Sequence, residues 1–180
     1  GLVAAGVPDE ARFEVWRHTG DAFVGGTTVQ DPVVGSALGT SVAIEDRFLA
    51  VGAPLTDGRT VAVTETGTVQ IYLRGENAQW TLLNTVSIGI DDGRLGAAVA
   101  LDGERLLVGA PERLGDLSGT ADGEAELYRI AGSGFMVVEH TFVTDGEEGD
   151  FGAAVAIDGI VAVIGEPDLG SRGRAVVHVY

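Results

Sequence analysis

Slid along itself, the chain falls into register three times. Leu38-Gly39-Thr40-Ser41-Val42-Ala43 leads through a short turn to Phe48-Leu49-Ala50-Val51-Gly52-Ala53-Pro54. Leu95-Gly96-Ala97-Ala98-Val99-Ala100 leads likewise to Leu106-Leu107-Val108-Gly109-Ala110-Pro111, and Phe151-Gly152-Ala153-Ala154-Val155-Ala156 to Val161-Ala162-Val163-Ile164-Gly165-Glu166-Pro167. The equivalent glycines Gly39, Gly96 and Gly152 lie 57 and 56 residues apart. A partial fourth copy, Leu2-Val3-Ala4-Ala5-Gly6-Val7-Pro8, opens the chain. A period of this size marks stacked supersecondary units, each too small to bury its own apolar face.

The second half of each unit recurs as well. Thr68-Val69-Gln70-Ile71-Tyr72 matches Arg12-Phe13-Glu14-Val15-Trp16, Glu126-Leu127-Tyr128-Arg129-Ile130 and Arg174 to Tyr180, and the aromatics Phe23, Trp80 and Phe135 each open a further strand. These segments alternate or are β-branched, the pattern of strands with one or two buried faces, and helical spacing is absent. A full unit therefore reads as four antiparallel strands, and the chain as three, four, four and three. The expectation is an all-β fold of β-propeller blades in a single region spanning 1–180. The blades run approximately 1–36 (partial), 37–93, 94–149 and 150–180 (partial). The small residues of each first strand suit a strand nearest a central axis, where space tapers. Recurrence assigns Phe23, Trp80, Phe135, Tyr72 and Tyr128 to packing rather than to a ligand platform.

Acidic residues number 27 against 11 arginines, with no lysine, and the formal net charge is −16. Such a chain repels phosphate backbones and anionic lipid, which excludes nucleic acid as a partner. No apolar run is long enough for a membrane span, so membrane insertion is not expected. The absence of cysteine removes disulfides and thiolate metal sites. A chain beginning at Gly1 without a signal peptide reads as processed or trimmed.

The quoted motifs resemble the FG-GAP repeat, the blade of integrin α-subunit heads and of many bacterial surface proteins, and the bacterial form is the nearer match. Phe151-Gly152 and Gly52-Ala53-Pro54 carry the two halves of the name. The resemblance implies an extracellular or cell-surface binding or adhesion module engaging a protein or glycan. In calcium-binding relatives the turn between strands one and two is an Asp-x-Asp-x-Asp-Gly-like loop. Here the turns are Ile44-Glu45-Asp46-Arg47, Leu101 to Arg105 and Ile157-Asp158-Gly159-Ile160. They hold too few carboxylates for the six to eight oxygens that calcium takes, so no metal or other cofactor is assigned to them. Asp102-Gly103 and Asp158-Gly159 read instead as tight hairpin turns. The resemblance also implies propellers of about seven blades. A chain with two partial ones is therefore either a segment of a longer protein or a subunit that joins further copies of itself into a ring, sheet or filament through open terminal strands.

In an antiparallel unit, connections one-to-two and three-to-four share one edge and are short. Connections two-to-three (Leu55 to Gly67, Glu112 to Gly123, Asp168 to Gly173) and four-to-one share the other and are long. Binding residues concentrate on loops held by a rigid scaffold, and the candidates there are Asp57, Arg59, Arg113, Asp116, Asp122 and Arg172. The acidic stretch Asp145, Glu147, Glu148 and Asp150 offers either a cation site or a solubilising turn. His18, His140 and His178 lack a repeated acidic partner, and no nucleophile elbow, metal-ligand pair or phosphate loop occurs, so the chain reads as non-enzymatic.

Overall fold

The computed structural model describes residues 1–30, 35–56, 66–87, 93–112, 122–132, 134–144, 149–167 and 172–180. The chain is all-β, and among the described residues fourteen strands form four antiparallel sheets. The first sheet holds β1 (Leu2–Val7), β2 (Arg12–His18) and β3 (Phe23–Gln30), with a 3-10 turn at Pro8–Glu10. The second holds β4 (Ser41–Glu45), β5 (Phe48–Ala53), β6 (Thr68–Arg74) and β7 (Trp80–Val86). The third holds β8 (Ala98–Asp102), β9 (Arg105–Ala110), β10 (Glu124–Ile130) and β11 (Met136–Val143). The fourth holds β12 (Ala154–Asp158), β13 (Val161–Glu166) and β14 (Arg174–Val179). Within every sheet the strands follow chain order, as the repeat predicts.

Successive sheets pack face to face, with one apolar cluster between each pair. β5 shows why its sequence is uninterrupted hydrophobic. Leu49, Val51 and Ala53 enter the cluster shared with Phe13 and Val15 of the first sheet. Phe48 and Ala50 enter the one shared with Leu106 and Val108 of the third. A strand covered on both faces has no position for a polar residue, and all six residues of β5 are buried. β13, with a neighbouring sheet on one face only, alternates instead: Ala162 and Ile164 are buried with Leu107, Leu127 and Phe142.

The backbones of neighbouring sheets touch at the repeated glycines. A Cβ on Gly52 would lie 1.9 Å from the carbonyl oxygen of Gly96, one on Gly6 1.8 Å from that of Gly39, and one on Gly109 1.9 Å from that of Gly152. Gly39, Gly96 and Gly152 themselves have φ of +97°, +89° and +98°, a region that favours glycine. The Gly-Ala-Pro glycine of one sheet thus receives the Phe/Leu-Gly glycine of the next. The Ser41 hydroxyl adds a hydrogen bond to the Gly96 carbonyl at 2.7 Å.

Two expectations need correction. Glu124 pairs with Ala110 as Thr68 pairs with Ala53, so β10 matches β6 from Glu124, two residues earlier than the sequence match at Glu126. Phe135 is not equivalent to Phe23 and Trp80: Met136 pairs with Ile130 as Trp80 pairs with Arg74. Phe135 ends the preceding turn, where its carbonyl accepts the Ala131 N–H, and it is 68% exposed. Phe23 is 60% exposed and lies against His18. Only Trp80 of the three packs against a core cluster, whereas Tyr72 and Tyr128 are buried as expected.

Gly52→Ala or Gly109→Ala should force two backbones apart and cost at least about 2 kcal/mol, toward the upper end for overpacked cores. Gly165→Ala, where the nearest atom is the Ala154 Cβ at 3.2 Å, should cost less than half as much. Urea denaturation of the three variants checks this; equal losses would remove the inter-sheet contact as the cause.

Candidate functional site

The strand order places connections β1–β2, β5–β6, β9–β10 and β13–β14 on one edge, together with β3–β4, β7–β8 and β11–β12. Parallel bridges Gly67–Leu95 and Gly123–Phe151 tie these connections together where they re-enter the sheets. The opposite edge closes tightly. Gly103-Glu104 and Gly159-Ile160 form two-residue turns, with φ of +58° at Gly103 and +57° at Gly159. Asp46-Arg47 does the same with φ of +46° at Asp46. The Asp102 carboxylate accepts the Gly159 N–H at 2.7 Å, binding one sheet's turn to the next.

Of the six loop candidates, Asp57, Arg59, Arg113 and Asp116 lie outside the described residues, as do Asp145, Glu147 and Glu148 of the acidic stretch. Arg172 is exposed. Asp122 is not displayed as a loop contact: it is only 8% exposed, immediately before the bridge at Gly123, and its Oδ1 has no hydrogen-bond partner among the described residues. Thr66 holds the equivalent position before Gly67 and is buried too. The described residues therefore do not bring the six candidates together. Among them no group of three His, Asp or Glu side chains is placed to hold a metal ion.

Sequence reasoning missed Glu166, which stands where the other units have Ala53 and Ala110. It is fully buried, paired through Oε2 with the Arg174 guanidinium, while Oε1 has no partner among the described residues. The break from alanine to glutamate in an otherwise repeated tripeptide was its signal.

The cleft between the third and fourth sheets gathers a group of titratable side chains. Glu139 accepts from Arg105 and Arg129, both at 3.1 Å. The Arg105 guanidinium lies 5.4 Å from the Tyr180 ring centre, and the Tyr180 hydroxyl donates to the Gly159 carbonyl at 2.8 Å. His140 and His178 pack on Phe142 at 4.5 and 4.7 Å between ring centres. The bond from Glu139 holds the Arg105 pKa above its ordinary value, and burial raises that of Tyr180. Burial, then the neighbouring His140, lowers that of His178. This set of paired charges and tilted rings joins the third and fourth sheets.

The chain matches no protein-family model, and none of the curated proteins is similar to it.

The His178 shift has a definite sign. A histidine whose pKa is lowered by folding binds its proton more readily in the unfolded chain. Its effect is absent above the ordinary value of about 6.5 and grows as pH falls from there toward the lowered folded value. Thermal melts should show the melting temperature of the native chain falling more between pH ~7.5 and ~5.5 than that of His178→Phe. Parallel pH curves would show that His140, Glu139, Arg105 and Tyr180 around it compensate the charge.

Proposed function

We propose that the chain is a stretch of FG-GAP-like β-propeller: four consecutive blades, the outer two of three strands each. It acts at the cell surface or outside the cell as a non-enzymatic binding or adhesion module, engaging a protein or glycan partner. The observation that carries the reading is the asymmetry of the edges. Every long connection converges on one edge of the sheets, and the turns β4–β5, β8–β9 and β12–β13 on the other contain two residues. A scaffold with this asymmetry displays variable loops on a fixed frame, the arrangement of a recognition surface. The sequence-level match to the repeat supports the family, and the glycine contacts between successive sheets support blades turned about one axis. The structural engagement of the titratable side chains in the third cleft supports binding over catalysis.

A second reading, self-association, is favoured by one feature: Val177 and Val179 on β14 are 63% and 71% exposed, and the outer edge of β14 has no partner strand among the described residues. An exposed apolar edge strand is a template for another chain. Sedimentation of the purified chain decides it, since a monodisperse monomer up to high concentration removes this reading.

The first reading is tested by screening the immobilised chain against glycans and surface proteins at physiological salt. A captured partner should lose at least tenfold in affinity on the combined substitution Arg59→Ala, Arg113→Ala, Arg172→Ala, roughly one charged hydrogen bond's worth. Glu104→Ala on the opposite edge should leave it unchanged. Binding indifferent to the loop arginines would displace the contact from this edge. Turnover of any substrate abolished by a single carboxylate substitution would make the chain an enzyme.

A further inference from the structure

A site on the opposite edge is independent of that reading. The three inter-sheet clefts are built alike and filled differently. In β7 the strand register skips Leu83, in β11 it skips Glu139, and in β3 it skips Gly25 and Gly26 opposite Trp16. The bulge pushes two neighbouring side chains toward the following sheet. Leu83 therefore packs on the second core cluster, with Asn84 donating to the Gly134 carbonyl at 2.7 Å. Glu139 instead sits between Arg105 and Arg129. Gly25 brings no side chain to the cleft, Gly26 lies against the Trp16 indole, whose Nε1 would be 3.2 Å from a Cβ there, and the first cleft stays open, with a volume of about 280 Å³.

Arg17 in the first sheet occupies the position of Arg129 in the third: Arg17 pairs with Val24 as Arg129 pairs with Val137. Arg129 has Glu139 beside it; Arg17 has glycine. Arg74 lines the same cleft from the second sheet. Neither Arg17 nor Arg74 forms an ion pair among the described residues, whereas Arg12, Arg94, Arg105, Arg129 and Arg174 all do. Asp46 lines the adjoining hollow with both arginines but lies beyond ion-pair distance of either. Two uncompensated guanidinium groups in one cleft of a chain carrying −16 are the reverse of what composition alone would give. The chain has two tryptophans, Trp16 and Trp80, and both line this cleft.

We propose that this cleft binds a carboxylated saccharide, a sugar ring of the uronate type. Its carboxylate takes the place that Glu139 fills in the third cleft, held by Arg17 and Arg74, with its ring against Trp80. Guanidinium groups match a carboxylate in planar geometry. Indole presents a flat apolar face with a polar N–H at its edge, which suits a sugar ring better than it suits an extended acidic peptide. The volume is near the lower bound for small-molecule clefts, so the fit is to a terminal or single residue. Repulsion from the distant acidic surface is largely screened beyond a Debye length of about 8 Å, while the two arginines act at contact.

The test uses trigalacturonate as probe, titrated calorimetrically into the full chain at low and physiological salt. Binding is expected, weakened at least tenfold in Arg17→Gln and in Arg74→Gln, and lost in Thr27→Glu, which places a carboxylate inside the cleft in cis. Thermal melts of each variant exclude unfolding as the cause. The methyl-esterified trimer, lacking the charge, should not bind. No binding of trigalacturonate, or binding unchanged in both arginine variants, overturns the proposal. Equal binding of poly-glutamate overturns the saccharide and leaves an acidic-peptide site. None of these outcomes touches the loop-edge reading, whose arginine variants lie on the other edge.

Discussion

The architecture rests on a backbone-to-backbone contact. Where Gly52 meets Gly96, and where Gly6 and Gly109 meet Gly39 and Gly152, two sheets approach so closely that a single methyl group would overlap a carbonyl oxygen. The contact admits no side chain from either partner, so it cannot be tuned by substitution; it is either made or lost. It also fixes orientation. The glycine of the second strand in one sheet meets the glycine leading into the first strand of the next, and β4, β8 and β12 are brought against one another in turn. Each sheet is placed by its predecessor in the same way. This is the energetic logic of repeat proteins, in which stability accumulates through nearest-neighbour interfaces.

The alternation of burial follows from this. A sheet held between two neighbours must be apolar on both faces at its centre, which is why β5 and β9 read as continuous hydrophobic runs. A sheet with one neighbour keeps a single buried face, hence β13, and β14 carries exposed apolar residues, Val177 and Val179. Aromatic residues at the same repeat position thus meet different surroundings. Tyr72 and Tyr128 are buried, their hydroxyls donating to Gln70 and Glu126, while Trp16 in the first sheet is only half-buried.

What could be read from the sequence was whatever the repeat itself imposes. The number and order of strands, the hairpin glycines Gly103 and Gly159 and the core tyrosines all follow from period and alternation. What could not be read depends on register between strands. The bulge residue is invisible in a one-dimensional match because Gly26, Leu83 and Glu139 share no chemistry; only the pairing of Val15 with Thr27, Ile71 with Asn84 and Leu127 with His140 shows that they are one position. Phe135 was misplaced for the same reason, one residue of turn away from the strand position it imitates. Asp122 was placed with the loop candidates because it lies in the Glu112 to Gly123 connection, yet it directly precedes the glycine that bridges to the next sheet and is buried there. Of the loop candidates, the sequence supplies the names and the described structure locates two.

Because the glycine contacts and apolar clusters hold neighbouring sheets together, the outer ends of the clefts are released from packing. The side chain at the bulge then decides what each cleft becomes. Leucine closes it, glutamate neutralises the arginines of its own sheet, and glycine leaves it open with the arginines uncompensated. The carboxylate absent beside Arg17 is present beside Arg129, so the protein itself displays the anion its open cleft is shaped to receive. A frame whose interfaces are fixed by backbone can vary such positions without refolding, and it is at those positions that chemistry differs from one sheet to the next.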